Sequence, residues 1–161
     1  MRSIIACVLL ALSSAFAFAA EPVLSWDAYG KVQFGKRLSD IEKSLGEKAT
    51  ADEGEESCQY VHFKNFPKAS FMVEDGIITR ADVDPGVPNS LGVSAGTPME
   101  RVKKKFPKVI VDPHHYDDAG FYLLMKNKKG TKAIVMEVGD GIVHTIRGGL
   151  EPSVEYVEGC L

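Results

Sequence analysis

The sequence predicts an α+β protein built from two tandem repeats, each a helix followed by an antiparallel meander. The repeats are expected to form one continuous antiparallel sheet with both helices on one face. Two observations support this. Segments 35–46 and 96–107 share a leading glycine, apolar residues three, six and ten positions later, and a closing helix breaker. Segments 71–80 and 136–145 share an Asp–Gly pair between apolar runs, so a unit of about 60 residues recurs.

An amphipathic helix opens each repeat. The first is predicted over Leu38–Leu45, where apolar residues recur three and four positions apart, and Gly46 ends it. The second is predicted over 98–106, because Pro98 suits a first helical turn and Pro107 cannot continue a helix. Each helix therefore presents one apolar stripe, which must cover one face of a sheet.

Strand-like runs with alternating or continuous apolar residues follow each helix. They lie at 58–63, 69–74 and 77–82 in the first repeat, at 109–111, 121–126, 132–138 and 142–147 in the second, and at 153–157 in a last strand. The Asp–Gly pairs at 75–76 and 140–141 predict tight hairpins. With both helices on one side, the other face of the sheet is expected to be open, which antiparallel sheets tolerate.

The N-terminal segment 1–19 has the pattern of a secretory signal peptide. Arg2 precedes an apolar run over 4–12, and the small-x-small sequence at 17–19 is a cleavage signal. The run is too short for a spanning helix, so no membrane insertion is expected. The protein is therefore predicted to be periplasmic or secreted.

A single domain is predicted for residues 20–161, made of repeats at about 30–84 and 91–150 with a C-terminal strand. Two cysteines remain in it, Cys58 and Cys160. In an exported chain they are expected to form a disulfide, with two free thiols or a redox pair as the alternatives. The missing C-x-x-C spacing disfavours a redox pair.

This layout resembles the tandem-repeat fold of the β-lactamase inhibitor protein, which is similar to that of the SmpA/OmlA (BamE-type) outer-membrane proteins. It is also similar to small exported bacterial proteins without an assigned activity. The resemblance covers about residues 30–150. The residues that carry it are the helix stripes Gly35, Leu38, Ile41, Leu45, Gly46 and Gly96, Met99, Val102, Phe106, with the Asp–Gly turns. The resemblance implies a protein-binding role. The chain differs from the outer-membrane group because it lacks a cysteine for lipid attachment at the cleavage site. No inhibitory contact residue of the β-lactamase inhibitor protein can be matched to a position in this chain.

Composition and motifs disfavour several classes of function. A formal net charge of −3 is not that of a nucleic-acid-binding protein. The sequence has no Gly-x-Ser-x-Gly motif and no glycine loop that enters a helix to hold phosphate. We therefore expect a protein that is not an enzyme and that needs no cofactor and no metal.

Two loops that differ between the repeats are the candidate partner-binding segments. Loop 47–57 holds an acidic cluster, which could instead be ordinary solvated acids or a calcium site. Loop 108–120 holds the sequence His–His–Tyr–Asp–Asp at 114–118, which could instead be a plain polar loop or a metal site. Strand aromatics, among them Tyr122, are either core residues or interface anchors. The candidate residues are Asp52, Glu53, Glu55, Glu56, His114, His115, Tyr116, Asp117, Asp118 and Tyr122.

The function expected from these features is that of a non-enzymatic periplasmic protein-binding module. It would act as an inhibitor or immunity-type protein on a secreted or cell-wall-active enzyme. An acidic binder suits a basic target, because complementary charge speeds encounter. The alternative is an envelope or outer-membrane assembly or structural module.

Overall fold

The protein is mostly β, and an eight-stranded antiparallel sheet dominates it. The computed structural model describes residues 21–55 and 57–160. The predicted signal peptide at 1–19 and the predicted contact residue Glu56 lie outside the described residues. In the described part, the strands lie at Ala28–Tyr29 (β1), Val32–Gln33 (β2), Thr50–Ala51 (β3), Cys58–His62 (β4), Ala69–Glu74 (β5), Ile77–Val83 (β6), Ile110–Pro113 (β7), Phe121–Lys126 (β8), Lys132–Gly139 (β9) and Ile142–Leu150 (β10), and the helices at Leu38–Leu45 (α1) and Met99–Lys105 (α2).

The predicted fold class, an α+β protein made of two helix-plus-meander repeats, is wrong. Residues 21–55 and 57–160 form one large antiparallel sheet, a separate two-stranded sheet and two α-helices of eight and seven residues. The apolar stripes on which the prediction depended extend over only about two turns each. The apolar stripes therefore predict where the helices lie, but the helices are too short to form a major layer of the fold.

The large sheet has the strand order β3-β4-β5-β6-β10-β9-β8-β7, and all its pairs are antiparallel. At its centre β6 pairs with β10, with Val83 opposite Ile146 and Arg80 opposite Gly149. Strands β3 and β7 lie at the two edges. The chain segments that follow these edge strands therefore lie far apart.

The main core lies on the face of the sheet that both helices cover. Ile41 of α1 and Val102 of α2 are buried in the same apolar cluster as Phe71 and Leu123 of the sheet. Tyr29 of the β1–β2 hairpin packs at a 6.2 Å ring distance from Phe71, so this hairpin closes the same core. We call this side the helix face.

The opposite face is covered in part by the C-terminal segment 151–160, which corrects the expectation of an open face. A second apolar cluster lies there: Tyr122, Leu124, Ala133, Val135 and Val154, with Val157 packed against it. The predicted strand at 153–157 is also wrong, since Ser153–Glu155 is a short 3-10 helix. Carbonyls of this segment accept hydrogen bonds from side chains of the sheet, so they are not used in a strand ladder.

Cys58 and Cys160 form a disulfide, as the sequence predicts. It links β4 to the end of the segment that crosses the sheet, across a sequence separation of 102 residues. Disulfides of this kind are typical of oxidising compartments. Among the described residues, no helix is long and apolar enough to cross a membrane.

Candidate binding surface at the β7 edge

The two predicted contact loops lie at opposite edges of the large sheet and do not meet. The acidic loop adjoins β3, and the loop over 114–118 follows β7. Seven strand spacings separate these edges, a distance of about 33 Å along the sheet. A single compact partner site therefore does not contain both loops.

The acidic loop has the geometry of a solvated hairpin. Asp52 lies 3.0 Å from Nε2 of His62, and both side chains are about half exposed. Glu53 is exposed, and Glu55 accepts a hydrogen bond from the Ser57 hydroxyl. Exposed ion pairs of this kind contribute little to stability. The described acidic side chains of this loop do not converge on one position that could be a binding site.

His114 organises the other loop from within. Its Nδ1 accepts hydrogen bonds from the backbone N–H groups of Tyr116 and Asp117, each at 3.1 Å. Nε2 must therefore carry the proton, and it donates to Oε1 of Glu137 at 3.2 Å. The ring also stacks on Tyr122 at a centroid distance of 4.6 Å. His114 is thus a structural residue of the loop.

The outward side of this loop and the neighbouring edge strand form an exposed surface with apolar and acidic residues. Tyr116 is 70% exposed, and its hydroxyl donates a hydrogen bond to Glu158, which raises the pKa of the phenol. On β7, Ile110 and Val111 are 42% and 37% exposed. We call this region the β7 surface and define it by Ile110, Val111, Asp112, Tyr116, Asp117 and Asp118.

Tyr122, the remaining predicted contact residue, is buried beneath the loop. Only 5% of it is exposed, and its hydroxyl has no hydrogen-bond partner among the described residues. Burial raises the pKa of this phenol, and the nearby Glu137 raises it further. Tyr122 supports the loop from below and is not part of the outer surface.

Two buried arginines hold the C-terminal segment on the sheet. Arg80 donates from Nε and Nη2 to both carboxylate oxygens of Asp82 and from Nη1 to the Tyr156 carbonyl at 2.6 Å. Arg147 donates from Nε to the Val154 carbonyl at 2.8 Å. The arginines therefore bind two carbonyls of the same crossing segment.

Both arginines fall within strands that the sequence predicts, but no role was expected for them. A signal was present: Arg80 and Asp82 are two residues apart in a strand, so they share a face and can pair. Nothing local indicated that residues 151–160 would cover that face. The cysteine pair alone tied the C-terminus to the first half of the chain.

A cavity of about 50 Å³ lies between the second face of the sheet and the C-terminal segment. It is lined by Asp112, His115, Tyr122, Leu124, Val135, Arg147, Glu155 and Val157. His115 and Asp112 are exposed, so the cavity opens beside the β7 surface. Within residues 21–55 and 57–160, no group of three or more His, Cys, Asp or Glu is arranged to hold a metal ion.

Comparison with known proteins gives one distant likeness. No protein-family model matches the chain, and no curated protein matches it. Its structure is similar to that of an extracellular protein containing a SCP domain from Bacillus anthracis str. Ames, with a TM-score of 0.49 and 11% sequence identity. The match covers 88% of this chain and 50% of that one, so the chain spans about half the length of that protein. A likeness at this level assigns no activity.

Proposed function

We propose that this chain is a non-enzymatic protein-binding module of the periplasm or the secreted fraction, which inhibits or neutralises a secreted or cell-wall-active enzyme. The observation that carries the proposal is the β7 surface. It combines an edge strand exposed along its whole length with a tyrosine that is 70% exposed. The resemblance to the β-lactamase inhibitor protein fold, inferred from sequence, agrees with this role and stays a prediction.

An exposed edge strand is a natural docking element. It presents unpaired backbone N–H and C=O groups, and proteins usually protect such edges with charge, proline or a covering segment. In β7, Asp112 and Pro113 give partial protection, while Ile110 and Val111 remain exposed. An extended segment of a partner could add to this edge, with its side chains against the two apolar residues.

The tyrosine and the surrounding charge favour a basic protein as the partner. Tyrosine is enriched among the residues that dominate interface energies. Asp112, Asp117, Asp118 and Glu158 are exposed around it, so the surface is acidic. Complementary positive charge on a partner would steer its approach and make the association rate sensitive to salt.

The test is capture of partner proteins from periplasmic extract by the immobilised protein, at low and at high salt. The double variant Val111→Ser with Tyr116→Ser should lose the captured protein, because it removes two of the three exposed apolar side chains of the β7 surface and leaves the charge unchanged. The matched control is Val23→Ser, which removes an exposed valine that is not part of the β7 surface and should capture as the unaltered protein does.

Two results would contradict the proposal. One is that no protein is retained at micromolar concentration at either salt level. The other is equal retention by the double variant and the control. Capture of assembled outer-membrane complexes in place of a secreted enzyme would favour the envelope-assembly alternative.

A further inference from the structure

The cavity beneath the C-terminal segment contains a buried cation with too few partners. Arg147 is only 5% exposed, and Nε makes its one hydrogen bond to a described residue, the Val154 carbonyl. The closest carboxylate oxygen is Oε2 of Glu137, 3.7 Å from Nη1, beyond hydrogen-bond distance. A guanidinium offers five N–H donors, and leaving donors unpaired inside a protein is costly.

Arg80 on the neighbouring strand serves as an internal comparison. It is equally buried, yet it makes a bidentate pair with Asp82 and a third contact to the Tyr156 carbonyl. Arg147 has no equivalent carboxylate. Burial, and next the charge of Arg80, lower the pKa of Arg147.

The acidic groups near Arg147 are engaged elsewhere. Glu137 pairs with His114 through Oε1 and accepts from the Thr145 hydroxyl through Oε2. Glu155 lies 2.6 Å from the ammonium group of Lys126. Asp112 lies at the open mouth, where solvent screens its charge. Asp82, opposite Arg147 in the sheet, is bound by Arg80. Glu137 is therefore an ion-pair partner of Arg147 at 3.7 Å, but no carboxylate among the described residues accepts a hydrogen bond from the guanidinium, and its Nη donors at the inner end of the cavity have no acceptor there.

We propose that this cavity binds a short aliphatic carboxylate, with its two oxygens on the guanidinium of Arg147. The planar fork of arginine matches a carboxylate in a bidentate geometry. Leu124, Val135 and Val157 provide apolar walls for a short carbon chain. The volume of about 50 Å³ has room for about three to five waters, or for an acid of about that many heavy atoms.

The carboxylate has two possible sources, a free small organic acid or the acidic side chain of a bound protein segment. Both would enter from the side of His115 and Asp112, where the cavity opens beside the β7 surface. The site is independent of the proposed inhibitory function, because it depends on Arg147 and the cavity walls and not on the exposed residues of β7.

The experiment is a titration of the ¹⁵N-labelled protein followed by NMR, at pH 7 and constant ionic strength in a buffer without carboxylates. Acetate and propionate should produce saturable shifts in the amides of Tyr122, Val135, Arg147 and Val157, with dissociation constants on the order of millimolar. Propionamide, which has the same shape without the charge, should produce none. A capped peptide with one central glutamate distinguishes the two sources: binding tighter than that of propionate indicates a protein side chain, and weaker binding indicates a free acid.

Three variants separate the site from general effects. Arg147→Lys keeps the charge but loses the fork, and should weaken propionate binding at least fivefold. Val157→Phe fills the cavity without altering Arg147, and should abolish binding even if the arginine variant folds poorly. Arg101→Lys, on the exposed side of α2, is the matched control and should bind as the unaltered protein does.

The proposal is overturned if propionate shifts do not saturate, if propionamide gives equal shifts, or if Val157→Phe in its folded form binds propionate unchanged.

Discussion

His114 and His115 are neighbours in sequence with opposite environments. His114 is enclosed by Tyr122, Glu137 and two backbone N–H groups, whereas His115 is exposed at the cavity mouth. The sequence singled out the pair for its chemistry but could not separate the two roles. That separation depends on Glu137 and Tyr122, which the sheet brings under the loop from β9 and β8.

The first prediction uses this adjacent pair. His114→Ala should lower the free energy of unfolding by about 2 kcal/mol, because it removes three hydrogen bonds and a ring stack. His115→Ala should change it by less than about 0.5 kcal/mol, since an exposed side chain is removed. Urea unfolding of both variants measures the difference. Equal losses would show that His114 does not hold the loop together.

The second prediction concerns the unpartnered hydroxyl of Tyr122. Its raised pKa means that the folded state favours the protonated phenol, so stability is lost as pH rises above the ordinary tyrosine pKa of about 10. Tyr122→Phe should be as stable as the unaltered protein, or more stable, at pH 8. Its advantage should grow by pH 11, because the unaltered protein then loses stability as the Tyr122 phenol is driven to ionise, whereas the variant has no phenol to ionise.

Urea midpoints of the two proteins at pH 8 and pH 11 measure this effect. Comparison of the two proteins at each pH cancels the titration of the lysines and of the other tyrosines. An advantage that shrinks between pH 8 and pH 11, or a loss above about 1 kcal/mol at pH 8, would contradict the account of Tyr122.

At the scale of elements, the β6–β10 pairing joins the two four-stranded halves of the large sheet. Gly149 lies opposite Arg80, and a Cβ added to it would come within 2.3 Å of the Thr79 carbonyl oxygen and 2.8 Å of Cα of Arg80. Only glycine allows the two backbones to approach this closely. The sheet is therefore continuous at its centre because position 149 has no side chain.

The third prediction tests this close approach. Gly149→Ala should destabilise the protein by about 1–3 kcal/mol, because backbone atoms must move apart to admit the methyl group. Gly54→Ala is the control: its added Cβ would lie 3.7 Å from its closest neighbour, an ordinary contact, and little loss is expected. Thermal unfolding of both variants gives the comparison. If Gly149→Ala unfolds at the same temperature as the unaltered protein, β6 and β10 can move apart at this position without loss of stability, contrary to the prediction.

The fourth prediction concerns the C-terminal segment and its disulfide. The Cys58–Cys160 bond has a sequence separation of 102 residues, so its loss should cost on the order of 4 kcal/mol in the chain-entropy model. The double variant Cys58→Ser, Cys160→Ser should unfold at lower urea, and reductant should bring the unaltered protein to the same midpoint. A reductant-insensitive midpoint in the unaltered protein would show that the bond does not contribute.

For the whole molecule, local signals predicted the positions of elements better than their assembly. The bounds of α1 and β5 agree with the sequence patterns, because a short apolar stripe and an Asp–Gly turn determine them locally. The fold class was wrong, since the share of each layer depends on how far the strands extend and pair. The bounds of the second helix also differ: it was predicted over 98–106, and α2 spans Met99–Lys105.

The candidate site was predictable only in part. Tyr116, Asp117 and Asp118 are exposed where a contact loop was expected, whereas His114 and Tyr122 support that loop from within. The distance between the two predicted loops follows from the strand order, which no local pattern contains. The role of Arg147 follows from the C-terminal segment crossing the sheet, a long-range contact that the sequence suggested only through its cysteines.

Binding of a partner protein at the β7 surface can be tested by hydrogen–deuterium exchange of the complex with a captured partner. The partner should slow exchange at the amides of Ile110, Val111 and Asp112 and of the 114–118 loop, while the acidic loop beside β3 exchanges at its free rate. Protection confined to the acidic loop, or to the helix face, would contradict the claim.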